Sequence, residues 1–232
     1  MEVQEGKTYL TVPHEGGKLT FQYSPFRGTY GNVANEIDKA ELKRPNSAET
    51  ASLVYDAWKN PEERYSSEII KILRDRWFWE FTGNLYLPKS NGPRGVSSGE
   101  EINNGVILET NPKILNEELV MNKNSLVQRL KDNDSSVKFV PFGYKIGEQT
   151  PRELEKNEYI IARYGKEGAE KISEIASIYK NPPFLYSFNY VNEEKIKMSA
   201  LGSGWYFGDR LYVDGGFLDP RKVGHALGIK KE

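Results

Sequence analysis

The chain has few residues suited to covalent chemistry. Its two histidines, His14 and His225, stand about 210 positions apart with no companion motif at either, and a lone histidine is most simply a surface or structural residue. It has no cysteine, hence no thiolate nucleophile, disulfide framework or Cys-ligated zinc. HExxH, Walker and GxGxxG patterns are absent. Asp209, Asp214 and Asp219 recur at steps of five, which fits neither a helix face nor an EF-hand loop, although loop aspartates can still bind calcium. The adjacent pairs Glu62-Glu63, Glu100-Glu101 and Glu193-Glu194 point different ways on a helix or strand and fit solvated faces. Trp77, Phe78, Trp79 and Phe81 are dense enough to be core. These residues give no catalytic group, no metal site and no cofactor, and they leave a hydrolase acting through loop carboxylates as the enzymatic alternative.

Residues 200 to 229, ALGSGWYFGDRLYVDGGFLDPRKVGHALGI, use a different vocabulary. The chain has 25 glutamates and eight aspartates, yet the 22 residues from Gly204 to His225 hold no glutamate and three of the aspartates. Glutamine, methionine and asparagine are missing there too. Two arginines stand against one lysine in this window, where lysine leads 21 to 11 overall. Trp205, Tyr206, Phe207, Tyr212 and Phe217 offer large rigid contact area and the Asp and Arg residues offer charged hydrogen bonds, a mixture favoured in binding surfaces. It suits equally well an antiparallel hairpin that packs its aromatics inward, and a structural or assembly protein would need no more than that.

The elements that must position this stretch are mixed. From Thr8 to Phe26, two β-prone runs flank Glu15-Gly16-Gly17, the pattern of a hairpin, and glycine and asparagine then take over through Asn35. Ser47 is placed to cap a helix carrying Ala51, Val54, Tyr55 and Trp58. After Asn60-Pro61 a second helix is expected, with Ile69, Ile70, Leu73 and Trp77 at steps of three and four. Thr82-Gly83-Asn84 predicts a bend or bulge between β-prone residues, and the polar stretch 89 to 105 an exposed loop. GVILET and VKFVPFGYKI read as strands with a short helix between them near 125 to 131. Thr150-Pro151 starts a helix, and Ala169, Ile172, Ile175, Ala176 and Tyr179 mark another over 167 to 179 that Asn181-Pro182-Pro183 stops. FLYSFNYV, KIKMSAL, WYF and RLYVDG are β-prone. The order is not strictly βαβ, so the expected class is α+β with an antiparallel sheet near the C-terminus, in a single domain over 1–232.

The frame ALGS.....DRL.V.GG..DP.....ALGI resembles the C-terminal variable region of archaeal variable proteins diversified by retroelements. Those proteins have a C-type lectin fold of the formylglycine-generating-enzyme type, and an error-prone reverse transcriptase randomises adenines in their template. Changing the first two bases of the asparagine codon AAC reaches Tyr, Phe, Asp, Gly, Ser, His, Arg, Leu and Val. It never reaches Glu, Gln, Met, Lys or Trp, and the first three of those are absent from the window. Trp205 and Lys222 depart from this rule.

The resemblance assigns Ala200, Leu201, Gly202, Ser203, Asp209, Arg210, Leu211, Val213, Gly215, Ala226, Leu227 and Gly228 to the constant frame. It implies variation at Gly204, Tyr206, Phe207, Gly208, Tyr212, Asp214, Gly216, Phe217, Leu218, Asp219, Arg221, Val223 and His225, with Trp205 lining the same surface. Independently of any family, the period of two along a strand buries Leu211 and Val213 and points Tyr212 outward. The enzyme for which the subtype is named depends on cysteine, which this chain lacks. The calcium-lectin tripeptides Glu-Pro-Asn, Gln-Pro-Asp and Trp-Asn-Asp are likewise missing. The implied function is therefore non-catalytic recognition of a protein or other macromolecule by residues 204–225.

Bulk properties agree. A net charge of -1 and a pI near 6.3 provide no field for polyanions, so nucleic acid is disfavoured as a partner. A mean hydropathy of -0.66 with 28% charged residues predicts a soluble surface. No signal-peptide pattern opens the sequence, and no apolar run approaches the roughly 20 residues that span a bilayer.

Overall fold

The computed structural model describes residues 3–4, 7–89, 102–204, 208–217 and 221–231. Most of the expected loop 89 to 105, and the WYF run 205–207, lie outside them. The chain opens with β1 (Val3–Gln4), β2 (Lys7–His14) and β3 (Gly17–Tyr23), an antiparallel three-stranded sheet turning at Glu15-Gly16 as expected. Then come β4 (Phe26–Gly28), α1 (Tyr30–Lys39), α2 (Ser47–Lys59), α3 (Arg64–Asp75) and β5 (Trp77–Leu87). The middle of the chain forms β6 (Gly105–Thr110), the small hairpin β7 (Lys113–Leu115) and β8 (Glu118–Val120), α4 (Lys123–Lys131), β9 (Val137–Pro141) and β10 (Gly147–Glu148). Two helices, α5 (Pro151–Glu155) and α6 (Glu158–Ala176), precede β11 (Phe184–Tyr186), β12 (Lys195–Gly204), β13 (Arg210–Phe217) and β14 (Gly224–Ala226).

A nine-stranded sheet organises the rest, in the order β10-β11-β13-β12-β5-β14-β4, with β6 also on β5 and β9 on β6. It is mixed, not purely antiparallel: β11 runs parallel to β13, and β14 parallel to β5. Short strands that return from distant parts of the chain make these contacts, so no local hairpin dictates their direction. The bulge expected at Thr82-Gly83-Asn84 is present, because Lys197 pairs with Asn84 while Ser199 pairs with Glu80.

One face of the sheet carries Phe78, Tyr86, Val106, Leu108, Leu185, Leu201 and Val213 against α2, α3 and α6. On the other, α1 packs on Trp79, Phe81, Ala200 and Ala226, and α4 on Leu85, Leu87 and Ile107. Helix α2 is capped by Asn46, one residue before the expected Ser47. The Asn46 side chain accepts from Glu49 N at 3.0 Å while Glu49 Oε2 accepts from Asn46 N at 2.9 Å, a reciprocal capping box that leaves Ser47 inside the helix. Helix α3 stops at Asp75, so Trp77 opens β5 and does not extend the helical face. Among the described residues no helix is long and apolar enough to cross a membrane.

Candidate recognition surface

Strand β13 lies between β11 and β12, and its pleat sorts the residues singled out by sequence. Leu211 and Val213 are 0% exposed and belong to the helix-covered core, whereas Tyr212 between them points to the other face and is half-buried. Residues directly opposite on neighbouring strands share a face. Phe184 and Tyr186 of β11 are in register with Tyr212 and Asp214, and Gly202 and Ala200 of β12 pair with the same two residues. Trp77 and Trp79 of β5 follow in the same rows.

The result is a row of aromatic rings across three strands. Tyr212 stacks on Phe184 at a centroid distance of 5.2 Å and an interplanar angle of 5°, lies 6.5 Å from Tyr186, and meets Trp77 edge-on at 5.8 Å. Phe184, Tyr186 and Trp77 are also half-buried. Such pairs add about 0.5–1.5 kcal/mol each beyond the area they bury, enough to preset the ring positions.

Glycines seat these rings. A Cβ on Gly202 would come 2.9 Å from Trp77 Cε3, and one on Gly224 would come 2.5 Å from Trp79 Cε2. A Cβ on Gly216 would lie 2.9 Å from Tyr186 Cε1, so any side chain there must displace that ring. Part of the glycine-rich vocabulary therefore has a packing origin. That Phe184, Tyr186 and Trp77 are neighbours of Tyr212 cannot be read from local sequence, because the pairings of β11 with β13 and of β5 with β12 are long-range. The aromatic run FLY at 184–186 was the available signal.

Asp214 is placed differently from a surface charge. Only 5% exposed, it accepts a hydrogen bond through Oδ1 from Gly216 N at 2.8 Å, where Gly215 and Gly216 bulge opposite Ser199. Burial pushes its carboxyl up to about 7, with the Gly216 hydrogen bond and the charge of Arg163 pulling the other way. His225 is on the opposite face. It is in register with Phe78, a core residue, while its neighbours Gly224 and Ala226 face the tryptophan side. Gly208, at φ +77°, is exposed and its carbonyl accepts from Asn181 Nδ2. Arg210 beside it pairs with Glu148 across the sheet. Arg221 and Val223 are exposed. Trp205, Tyr206, Phe207, Leu218 and Asp219 lie outside the described residues, and Gly204 and Phe217 end β12 and β13.

Behind β13 a buried polar network fixes the scaffold. Arg163 of α6 pairs with Glu80 of β5, both fully buried, and Tyr164 donates to Glu80 Oε1 at 2.9 Å. Burial pushes the Glu80 carboxyl up and the Arg163 guanidinium pulls it back. Tyr159 donates to Asn84 Oδ1 at 2.6 Å, and Asn84 Nδ2 donates to Ser199 Oγ at 2.9 Å. Tyr86 donates to the carbonyl of Gly215 at 2.9 Å. This clamps the backbone of β12 and β13 from below and leaves their upper face to the aromatic row.

The other histidine, His14, has Nδ1 2.9 Å from Ser52 Oγ, with Lys171 Nζ also donating to that oxygen at 2.9 Å. Ser52 is buried and donates to Ala48 O at 3.2 Å, so the group ties the β2–β3 hairpin to α2 and α6 and does not present a nucleophile to solvent. Among the described residues no three His, Asp or Glu side chains converge as a metal site.

No protein-family model matches the chain, and no curated protein matches its sequence. A solved structure described as the accommodation of massive sequence variation in Nanoarchaeota by the C-type lectin fold is similar over 90% of this chain and 98% of its own, with a TM-score of 0.61 at 12% identity. At that identity the likeness is one of fold. This chain has a mixed α+β C-type lectin fold, with β12 and β13 in the middle of the sheet and β14 next to its β4 edge.

Proposed function

We propose that this chain is a variable ligand-binding protein of the retroelement-diversified type, with the formylglycine-generating-enzyme-like form of the fold. It presents the face of residues 204–225 that carries Tyr212 to a protein or other macromolecule and has no catalytic role. The observation that carries this reading is the half-exposed ring of Tyr212 between the fully buried Leu211 and Val213, on a strand clamped from behind. A strand built this way keeps its backbone while the outward position changes. Shape and aromatic contact area would supply affinity, and charged side chains specificity.

The test is in the DNA. Sequencing the flanks of the gene is expected to find a reverse-transcriptase gene and a near-copy of the codons for residues 200 to 229, differing mainly at adenines. A complete locus without such a near-copy overturns the proposal.

A further inference from the structure

On the face of the sheet away from Tyr212, the edge pair β4–β14 and the C-terminal end of α3 border an open surface cavity of about 250 Å3. It is lined by Arg27, Lys71, Ile72, Asp75, Arg76 and His225. Arg27 and His225 are in register across β4–β14 and so start from the same face, while Lys71, Asp75 and Arg76 come from the end of α3 and its cap. Three permanent cations meet one carboxylate here. Among the described residues, none of these four charged side chains takes part in an ion pair.

A helix C-terminus attracts cations on its own account, which is reason enough for Arg76 at the C-cap of α3. It does not explain Arg27, which arrives from the edge strand. Nor does it explain His225, whose Nδ1 is buried with no hydrogen-bond partner. Burial, then the charges of Arg27 and Arg76, hold the His225 ring below its usual value.

We propose that this cavity is an anion site for a phosphate group, gripped by the guanidinium groups of Arg27 and Arg76 with Lys71 and His225 beside them. Guanidinium planes match phosphate oxygens two at a time, which chloride cannot exploit. The volume falls below the roughly 300 Å3 at which sites for drug-sized ligands begin, so the site fits the ion itself or one group projecting from a larger molecule. It stands apart from the aromatic row and does not depend on what that row binds.

The experiment is an NMR titration of the His225 ring signals with inorganic phosphate, with sodium chloride at matched ionic strength as control and His14 as internal reference. Phosphate is expected to shift the His225 signals saturably and to raise the ring's titration midpoint. Arg27→Gln and Arg76→Gln, both at exposed positions, are each expected to weaken phosphate binding by about tenfold. A second titration with phenyl phosphate separates two supporting outcomes: binding of both ligands assigns the site to a phosphate carried on a larger molecule, and binding of inorganic phosphate alone to the free ion. A response no greater than that to chloride, or a double Arg variant that binds phosphate as the parent does, overturns the assignment.

Discussion

A Cβ on Gly215 would lie 1.8 Å from the hydroxyl oxygen of Tyr159 and 2.8 Å from its Cζ. That hydroxyl cannot step aside, because it donates to Asn84 Oδ1 and lies 3.4 Å from an Arg163 Nη1 donor, within a fully buried network. The carbonyl of Gly215 is held in turn by Tyr86. Strand β13 thus rests directly on the tyrosines beneath it, with no layer of side chains between at this point.

Gly215→Ala is accordingly expected to lower unfolding free energy by about 2–4 kcal/mol, measured by urea denaturation. Tyr159→Phe removes the oxygen that makes the closest contact. The double variant should therefore be more stable than the sum of the two single losses implies. A Gly215→Ala loss below about 0.5 kcal/mol, the range of ordinary surface substitutions, would show that the strand has slack.

The Glu80–Arg163 pair gives a second prediction. Both groups are fully buried, and removing one partner strands the other charge in the core. Arg163→Met is expected to cost about 3–5 kcal/mol, and adding Glu80→Gln to recover part of it. If the double variant is less stable than Arg163→Met alone, Glu80 is held chiefly by Tyr164 and Ser47.

Asp214 makes stability depend on pH in a definite direction. Its carboxyl keeps a proton in the fold up to about 7, whereas the unfolded chain releases it near the ordinary value of 3.8. Between those values the native state binds more protons, so stability falls as pH rises and levels off above about 7. Asp214→Asn retains an acceptor for Gly216 N without the charge. Melting curves of the two proteins should coincide near pH 4 and separate by pH 8, the Asn variant being more stable by on the order of 4 kcal/mol. Parallel pH profiles for the two proteins would refute this.

Much of the fold was legible because its signals are local. The hairpin glycines, the Asn60-Pro61 break, the Gly83 bulge and the apolar stripe of α6 each act within a few residues. Helix α1 was hidden although Tyr30, Val33, Ala34 and Ile37 have helical spacing, because Gly31, Asn32 and Asn35 lower its propensity. Gly31 is needed there because a Cβ would meet the Glu117 backbone at 2.2 Å, a contact that tertiary packing imposes. The site was legible where a strand's period of two decides it, as for Leu211, Tyr212 and Val213. Period cannot report partners from other strands, so the approach of Phe184, Tyr186 and Trp77, the burial of Asp214 and the opposite facing of His225 appear only in the fold.

That period makes the last prediction. Leu211 and Val213 fill the core against the helices, so Leu211→Ala should cost about 2–5 kcal/mol and Val213→Ala somewhat less. Tyr212→Ser loses ring contacts with Phe184, Tyr186 and Trp77 but leaves no closed cavity, so about 1–2 kcal/mol is expected. A library covering 211, 212 and 213, sorted by protease resistance on a display host, should therefore admit many residue types at 212 and few at its neighbours. Aromatic residues should be enriched at 212, since Phe and Trp can still stack on Phe184. Equal intolerance at all three positions would mean that Tyr212 is core, and the recognition reading would lose the residue on which it rests.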